Sequence, residues 1–279
     1  MQKIGVSMFG IFKKETTTEK NAKPIRRKYK AGLALSGGGT RGFAHIGVFK
    51  ALEELGAHFD CVAGTSAGSI MGAMYASGIS WQQIRDEAAK VTKRDIINKL
   101  MVIGSDSGNI KRVAERLLGE KTFSDLAIPF SAVAVDIQSG DEVVLSSGSV
   151  ADAVAASSSV PVLFTPYKIG EQDLVDGGLL NNMPADVCRK MGADVVVSVD
   201  LNSARGKGTT SRSIPGIVIA SWNITTKGTM YKGYIASDLV ITPNLSQYKN
   251  TKLEGLDEMI EEGYRATMEK AEEIKQLLI

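Results

Sequence analysis

The chain has 279 residues and 43% of them are hydrophobic, which suits one large α/β domain or two smaller ones with a complete core. This composition excludes a disordered chain and a small domain held together by disulfides. The two cysteines, Cys61 and Cys188, fall in segments typical of buried elements, so we expect reduced core thiols in a cytoplasmic protein. With only two histidines, His45 and His58, and no His-Glu-x-x-His pattern, the sequence predicts no metal site.

The charge is unevenly distributed along the chain. Residues 1–30 contain nine Lys and Arg against two Glu, a net charge of +7, whereas the rest of the chain carries −5. This basic arm is either a frayed terminus or a peripheral anchor that contacts an anionic membrane, such as the inner membrane face. A mildly acidic body with a basic arm does not resemble a nucleic-acid-binding protein, so no nucleic acid partner is expected. We therefore divide the chain into an arm, residues 1–30, and one domain, residues 31–279.

The domain alternates short apolar runs with segments of helical periodicity, and it has no apolar run long enough to span a membrane. This pattern is typical of a parallel sheet covered by helices on both faces. The predicted strands are Gly32–Ser36, Phe59–Gly64, Pro129–Asp136, Glu142–Ser146, Ala193–Asp200 and Asp238–Thr242, with a hairpin over Tyr167–Leu174. The predicted helices begin with a face from Ala44 to Leu55 and continue with Ala67–Ser77, Ser80–Val91, Asn109–Leu118, Val150–Ser157, Pro184–Met191, Pro215–Tyr231 and Leu256–Leu278.

A glycine-rich segment, Gly37-Gly38-Gly39-Thr40-Arg41-Gly42, follows the first predicted strand and precedes the first helix. Exposed backbone N–H groups and the positive end of the helix can hold an anion there. The string fits G-x-G-x-x-G, but the second strand ends in Gly64-Thr65-Ser66, where a dinucleotide site needs an acid for the ribose. A P-loop is also excluded because no Gly-Lys-Ser/Thr ending is present. The segment is therefore predicted to form an oxyanion hole.

A G-x-S-x-G string, Gly64-Thr65-Ser66-Ala67-Gly68, lies between the second predicted strand and the next helix. A sharp turn from strand to helix would present Ser66 at the carboxyl edge of the sheet, which is the geometry of a nucleophile. The string alone is weak evidence, because a serine that caps the helix would give the same pattern.

The identity of the base decides between these two interpretations of Ser66. An α/β-hydrolase supplies Asp and then His after the serine, but no histidine follows His58, so this order is impossible here. We expect His58 at the surface. For His45, which lies near the glycine-rich segment, packing and local hydrogen bonding are favoured over a catalytic role.

A carboxylate on a tight loop is the remaining candidate for the base. Asp176-Gly177-Gly178 comes directly after an apolar pair, and its simplest interpretation is an ordinary turn. In the functional interpretation, Asp176 takes the proton of Ser66 without an imidazole between them. A carboxyl with its usual pKa near 4 is a weak base for this task, so its surroundings or its proximity must compensate.

These three elements together resemble the patatin-like phospholipase family, in the same order and at similar spacing, over about residues 31–200. The flanking Gly42-Phe43-Ala44-His45-Ile46-Gly47 and the Ala/Ser-rich stretch Ala155–Pro161 agree with it. The resemblance implies a three-layer α/β/α fold with a mostly parallel central sheet, and a serine acyl hydrolase that needs no cofactor. It also implies roles: Ser66 as nucleophile, Asp176 as proton acceptor, backbone N–H groups around Gly38, Gly39 and Thr40 as oxyanion hole within a substrate-binding segment Gly37–Gly42, and Gly64, Gly68, Gly177 and Gly178 as motif support.

The resulting hypothesis is a lipid acyl hydrolase that cleaves fatty-acyl esters through a dyad of Ser66 and Asp176. Three alternatives remain open: a low-turnover lipid-binding or regulatory protein that retains the fold, a small-ester esterase, and a peptidase that uses the same machinery. Arg41 also has two interpretations, because its guanidinium could orient a substrate phosphate or hold the glycine-rich segment in place.

Overall fold

The computed structural model of the protein describes residues 29–93, 104–203, 213–248 and 255–279. Residues 1–28 of the basic arm lie outside these ranges, so the arm's two interpretations stay predictions. Within the described ranges, no helix is both long enough and apolar enough to cross a membrane.

Eight strands lie in the described ranges: β1 Ala31–Leu35, β2 Cys61–Thr65, β3 Phe130–Asp136, β4 Glu142–Leu145, β5 Tyr167–Ile169, β6 Gln172–Asp176, β7 Val195–Val199 and β8 Leu239–Ile241. They form one sheet in the order β5-β6-β3-β2-β1-β7-β8, with β4 paired to β3. Five of them, β1, β2, β3, β7 and β8, run parallel, while β4, β5 and β6 are antiparallel to their neighbours. The mostly parallel sheet is therefore confirmed, with an antiparallel part beyond β3.

Ten α-helices lie in the described ranges, and most match the predicted segments closely. Their bounds are α1 Ala44–Glu54, α2 Ala67–Ala76, α3 Trp81–Lys93, α4 Gly108–Leu118, α5 Val150–Ser157, α6 Ala185–Lys190, α7 Ile214–Gly228, α8 Met230–Ala236, α9 Leu256–Met268 and α10 Ala271–Leu278. Short 3-10 turns cover Gly39–Phe43, Phe123–Asp125 and Gly177–Leu179.

Two predicted helices are each divided in the structure. The segment predicted as Pro215–Tyr231 ends as α7 and restarts as α8 after Thr229, whose hydroxyl donates to the carbonyl oxygens of Gly178 and Thr226. The segment predicted as Leu256–Leu278 divides into α9 and α10 at a tight turn, in which the Lys270 N–H donates to the Thr267 carbonyl at 3.0 Å. The apolar periodicity continues across both divisions, which is why the sequence pattern did not show them.

The two largest cores among the described residues lie on opposite faces of the sheet. On one face, Leu33 and Leu35 of β1 belong to a large core formed with α1, α2, α3, α4, α5, α9 and α10. On the other face, Ala34 packs with α6 in a smaller core. Cys61 of β2 and Cys188 of α6 are buried in this smaller core as free thiols, as predicted. Because successive side chains of β1 point to opposite faces of the sheet, helices pack on both faces, and the result is a helix–sheet–helix arrangement of three layers.

The register of the sheet brings the predicted site residues to one place. Thr65, the last residue of β2, pairs with Val133 of β3, so Ser66 follows on the row of Ala134. On the other side of β3, Ala134 pairs with Asp176, the last residue of β6. β6 runs antiparallel to β3 and enters from beyond the carboxyl end of β2, and its last residue stops at the row directly after Thr65. Parallel neighbours on both sides of β1 also make this edge a switch point, the usual position of a ligand crevice.

Candidate active site

Ser66 occupies a strained bend between β2 and α2. Its backbone angles are φ 53° and ψ −124°, in a region that residues other than glycine rarely adopt. The bend is tight, because a Cβ atom on Gly64 would lie 2.3 Å from the Gly68 carbonyl oxygen, and one on Gly68 would lie 2.1 Å from that of Leu35. Both glycines of the G-x-S-x-G string are therefore required by close backbone approach.

The backbone of Ser66 is fixed on both sides of the bend. Its N–H donates to Ser157 Oγ at 3.0 Å, and Ser157 Oγ donates to the Val133 carbonyl at 2.6 Å. Its carbonyl accepts from Ser69 Oγ at 2.7 Å. The Ser66 side chain does not cap α2, so the helix-capping interpretation of the motif is wrong. The strained conformation, which costs about 1–3 kcal/mol, is held by neighbours that leave the hydroxyl available.

Asp176 is buried at the end of β6, with 1% of its surface exposed. Its Oδ1 accepts from the Gly178 N–H at 2.8 Å, and its own N–H donates to the Ser159 carbonyl at 3.0 Å. Gly177 allows the chain to turn against β3, since a Cβ there would lie 2.3 Å from the Val133 carbonyl oxygen. The Asp-Gly-Gly loop is thus a tight turn that also presents a buried carboxyl.

The Asp176 carboxyl is poised between its charged and neutral forms. Burial raises its pKa to about 7, against the opposing effects of the Ser66 hydroxyl and the Gly178 N–H, which favour the charged form. Its second oxygen, Oδ2, is buried and has no hydrogen-bond partner of normal geometry among the described residues. The Ser66 hydroxyl therefore lies near enough to influence the carboxyl, but without an aligned hydrogen bond to it. Such loose contacts are common in active sites without substrate.

The glycine-rich segment is held beside Ser66 by two asparagines. The Gly37 N–H donates to the Asn182 carbonyl at 3.1 Å, and Asn202 Nδ2 donates to the Gly37 carbonyl at 2.7 Å. A Cβ atom on Gly37 would lie 3.1 Å from the Cβ of Ser66 and 2.5 Å from Asn182 Oδ1. Close approach between the segment and the serine therefore depends on this glycine.

Two N–H groups of this segment are available as donors. Those of Gly38 and Gly39 donate to no acceptor within the described residues. Gly39 adopts φ 58°, and together with Thr40 it lines the same cavity as Ser66. Unpaired N–H groups at this position suit an anion that forms next to Ser66.

Arg41 is buried and holds the end of the glycine-rich segment. Its Nε and Nη2 donate to the Tyr248 carbonyl at 2.9 and 2.7 Å. Of the two interpretations of this residue, these contacts favour the one in which it fixes the segment.

The two histidines lie where the sequence predicts them. His45 is fully buried and its Nε2 donates to the Ser36 carbonyl at 3.1 Å. Burial lowers its pKa to about 4, so the ring is neutral at pH 7. His58 is exposed.

Ser66 also lines an apolar cavity of about 220 Å³. Its walls come from α2, α3, α4 and the chain after α5, and among the described lining residues Glu87 alone is charged. The lining side chains include Phe43, Ala67, Ile70, Met71, Met74, Ile84, Ala88, Ile110, Val113, Leu117, Val160, Leu163 and Phe164. The cavity therefore offers an apolar ligand a path that begins at the serine.

Four residues that position the site were not singled out from the sequence: Ser157, Ser159, Asn182 and Asn202. The first two lie in the Ala/Ser-rich stretch Ala155–Pro161, which was noted only as a family feature. Asn181 and Asn182 follow the Asp-Gly-Gly loop, and such a pair of buried polar residues after a motif is the signal that could have indicated them.

Comparison with known proteins is consistent with this geometry. The family model for patatin-like phospholipases matches residues 33–189. An uncharacterized NTE family protein of Mycobacterium tuberculosis is 37% identical over 174 residues, covering 61% of this chain and 30% of that protein. Human patatin-like phospholipase domain-containing protein 6 is 36% identical over 201 residues, covering 68% of this chain and 14% of that protein.

The fold also matches a solved structure. VipD from Legionella pneumophila aligns with a TM-score of 0.56 at 17% identity, covering 88% of this chain and 67% of that one. The match to the two sequence relatives above spans less than a third of their length. Since the family model covers more than half of the residues, the chain belongs to the patatin-like phospholipase family.

Proposed function

We propose that the protein is a serine acyl hydrolase that cleaves fatty-acyl esters of lipids, with Ser66 as nucleophile and Asp176 as base. The observation that carries this proposal is the position of Ser66, which lines an apolar cavity and lies beside a buried carboxyl whose Oδ2 has no aligned partner. A hydroxyl, a proton acceptor and an apolar wall at one point are the parts that acyl transfer from a lipid needs.

The proposed reaction has two steps. Ser66 Oγ forms a bond to the ester carbonyl carbon while its proton passes to Asp176, and collapse of the tetrahedral intermediate breaks the bond to the alcohol, which leaves with that proton. Water then attacks the acyl-enzyme and gives a proton to Asp176, and the fatty acid leaves as Ser66 regains its proton. A pKa near 7 makes the Asp176 carboxyl a better base than an ordinary one.

The negative charge on the carbonyl oxygen needs donors at each tetrahedral stage. The unpaired N–H groups of Gly38 and Gly39 are suited to this, because they are fixed by the backbone and lie in the segment that abuts Ser66. One such donor is worth about 3 kcal/mol in transition-state stabilisation. Arg41 contributes by fixing the segment through Tyr248.

The cavity indicates the substrate class. A fatty-acyl chain that enters it would meet almost only hydrocarbon, and burial of each methylene is worth about 0.8 kcal/mol. A peptide would bring polar groups into the same space without partners for them. The cavity therefore favours lipid esters over peptides and over very short acyl groups.

The decisive experiment is labelling with a fluorophosphonate probe, followed by intact mass and peptide mapping. We expect one adduct on Ser66 in the purified protein, none in Ser66→Ala, and strongly slowed labelling in Asp176→Asn. Ser146→Ala, which changes an exposed serine, is the matched control and should label like the unaltered protein. Circular dichroism confirms that each variant is folded.

Fatty-acid release from phospholipid vesicles then separates the alternatives. An adduct on Ser66 with fast release supports the lipid hydrolase. An adduct with hydrolysis of short soluble esters only would indicate an esterase, and an adduct without turnover would indicate a binding or regulatory protein. Labelling retained by Ser66→Ala would contradict the proposal outright.

A further inference from the structure

Helix α7 presents an apolar face to solvent. The exposed fractions of Ile214, Ile217 and Ile224 are 79%, 51% and 74%. A surface helix normally turns its apolar stripe inward and its polar side chains outward. Here the buried side holds Thr226, which is 3% exposed, so the usual arrangement is partly reversed.

Helix α8 extends this face. Tyr231 and Ile235 are 71% and 69% exposed. Thr229, between the two helices, has helical angles of φ −76° and ψ −7°, so the helical phase continues into α8. Ile217, Ile224 and Tyr231 are each seven residues apart and Ile235 follows four later, a spacing that places them on one side.

The concentration of these side chains is unusual for the molecule. Among the described residues, seven of the twelve exposed large hydrophobic side chains lie in these two helices. Single exposed apolar residues are normal, whereas a contiguous group indicates an interaction site. The α7–α8 surface consists of Ile214, Ile217, Val218, Ile224, Tyr231, Tyr234 and Ile235.

Helices α7 and α8 themselves carry basic side chains and no acidic ones, although carboxylates of other elements reach them, since the Tyr234 hydroxyl donates to Asp200 Oδ2 at 2.5 Å. The sequence from residue 201 to residue 237 contains no Asp or Glu, and it contains five basic residues, Arg205, Lys207, Arg212, Lys227 and Lys232. Lys227 and Lys232 are exposed, and Lys232 also pairs with Glu142 at 3.4 Å. The other three precede α7 in the sequence and lie outside the described residues. Exposed Ile and Tyr side chains on the same two helices as Lys227 and Lys232 suit the boundary of an anionic bilayer.

The opposite side of α7 contacts the candidate active site. The Thr229 hydroxyl donates to the Gly178 carbonyl at 2.9 Å, and a Cβ on Gly178 would lie 3.0 Å from Thr226 Cγ2. The helix therefore packs on the loop that carries Asp176 and exposes its apolar face in the other direction.

We propose that the α7–α8 surface docks the protein on anionic membranes. The inference rests on the proposed function, because a lipid hydrolase gains from a face that holds it at a lipid surface. A second copy of the chain is the other possible occupant, but a symmetric interface would bring the basic residues of both copies together without acidic residues from this segment to oppose them.

The test is sedimentation of the full chain with vesicles of phosphatidylcholine alone and of phosphatidylcholine with 30% phosphatidylglycerol. We expect binding to the anionic vesicles, weakened at least tenfold by Ile217→Glu with Ile224→Glu. The matched control is Ile137→Glu with Met268→Glu, which adds the same charge at exposed apolar sites elsewhere and should change binding less than twofold. If the unaltered protein did not bind anionic vesicles, the proposal would be overturned. It would also be overturned if the α7–α8 variant bound them as strongly as the unaltered protein.

Two further measurements separate the remaining outcomes. Light scattering reports oligomeric state, and a dimer that the α7–α8 variant converts to monomers while vesicle binding persists would assign the surface to a second copy and overturn the proposal. Fluorophosphonate labelling in solution should be the same in the α7–α8 variant and the unaltered protein. If neither the unaltered protein nor the α7–α8 variant is labelled at Ser66, the proposed hydrolase function fails. Loss of vesicle binding in the variant would still support the docking surface in that case.

Discussion

The Ser157 hydroxyl bridges two parts of the candidate site, because its Oγ accepts from the Ser66 N–H at 3.0 Å and donates to the Val133 carbonyl at 2.6 Å. Two residues later, the Ser159 carbonyl accepts the N–H of Asp176 at 3.0 Å. The C-terminal end of α5 therefore fixes the candidate nucleophile and the candidate base together. Preorganisation of this kind is how a site holds a strained backbone ready for reaction.

Substitution Ser157→Ala removes the acceptor for the Ser66 N–H. A buried N–H left without a partner costs about 1–3 kcal/mol, and part of this can be relieved by relaxation of the strained bend. We expect kcat for a soluble ester to fall about tenfold or more with little change in KM, since the substrate's apolar contacts remain. Steady-state kinetics and the rate of fluorophosphonate labelling measure the effect.

Ser159→Ala is the matched control for this substitution. Its Oγ donates to the Ala155 carbonyl within α5, and its main-chain carbonyl still accepts from Asp176 in the variant. The activity of Ser159→Ala should stay within about twofold of that of the unaltered protein, because the Ser157 hydroxyl, and not the Ser159 hydroxyl, contacts the bend at Ser66. Equal loss in both variants would show that the effect is a general weakening of α5.

The raised pKa of Asp176 predicts the pH dependence of the reaction. The base acts in its deprotonated form, so kcat/KM for a soluble ester should fall as the pH drops through about 7 and level off above it. An ordinary carboxylate base would place the fall near pH 4. A pH–rate profile from pH 5 to pH 9, with stability checked at each pH, measures this.

A histidine could give a similar profile and needs its own control. His45 is neutral in this range because burial lowers its pKa to about 4. His58→Gln changes the exposed imidazole and should leave the profile unchanged. A profile that loses its inflection in His58→Gln would contradict the assignment to Asp176.

The raised pKa of Asp176 also predicts that this residue lowers the stability of the folded protein. Because its pKa is about 7 in the folded protein and 3.8 in the reference state, the folded protein binds more protons between these values, and Asp176 lowers stability as the pH rises through them. The full cost above pH 7 is about 4 kcal/mol, from about 1.4 kcal/mol per pKa unit. An active-site residue that reduces stability is a common arrangement.

Asp176→Asn should therefore stabilise the protein while it abolishes activity. The amide oxygen can still accept from the Gly178 N–H. We expect the free energy of unfolding of Asp176→Asn to exceed that of the unaltered protein by an amount that increases by about 2 kcal/mol or more from pH 5 to pH 8. Urea denaturation at each pH measures this difference. His45 titrates in both proteins, so its contribution cancels in the comparison. An advantage independent of pH would mean that Asp176 has an ordinary pKa.

Much of the fold follows from local patterns. The all-apolar β1 and the amphipathic α1 are specified by short segments, and both were predicted to within two residues. The division of the C-terminal helices at Thr229 and at Lys270 was missed. At Thr229 the reason is tertiary, because its hydroxyl bonds the Gly178 carbonyl, 51 positions earlier in the chain.

In the candidate site too, residues in local motifs could be predicted from the sequence, whereas residues that act through distant contacts could not. Ser66 and Asp176 lie in short motifs whose glycines are required by close backbone approach, and a sequence displays such glycines directly. Ser157 and Asn182 act through contacts across 91 and 145 positions, and nothing in their immediate neighbourhood specifies those partners. The raised pKa of Asp176 likewise depends on burial by the whole fold.

The cavity predicts a selective effect of Ala88→Phe on chain length. Ala88 of α3 is buried and lines the cavity, so a phenyl ring there would occupy space that an acyl chain needs. We expect kcat/KM for a twelve-carbon p-nitrophenyl ester to fall about tenfold or more, because displacement of two buried methylenes at about 0.8 kcal/mol each is already worth about tenfold. For a four-carbon ester, kcat/KM should change less than about threefold. Ala89→Phe places the same ring on the adjacent residue, which does not line the cavity, and should preserve the preference for long chains. If Ala88→Phe lowered both esters equally, or left both unchanged, the acyl chain would have to bind elsewhere.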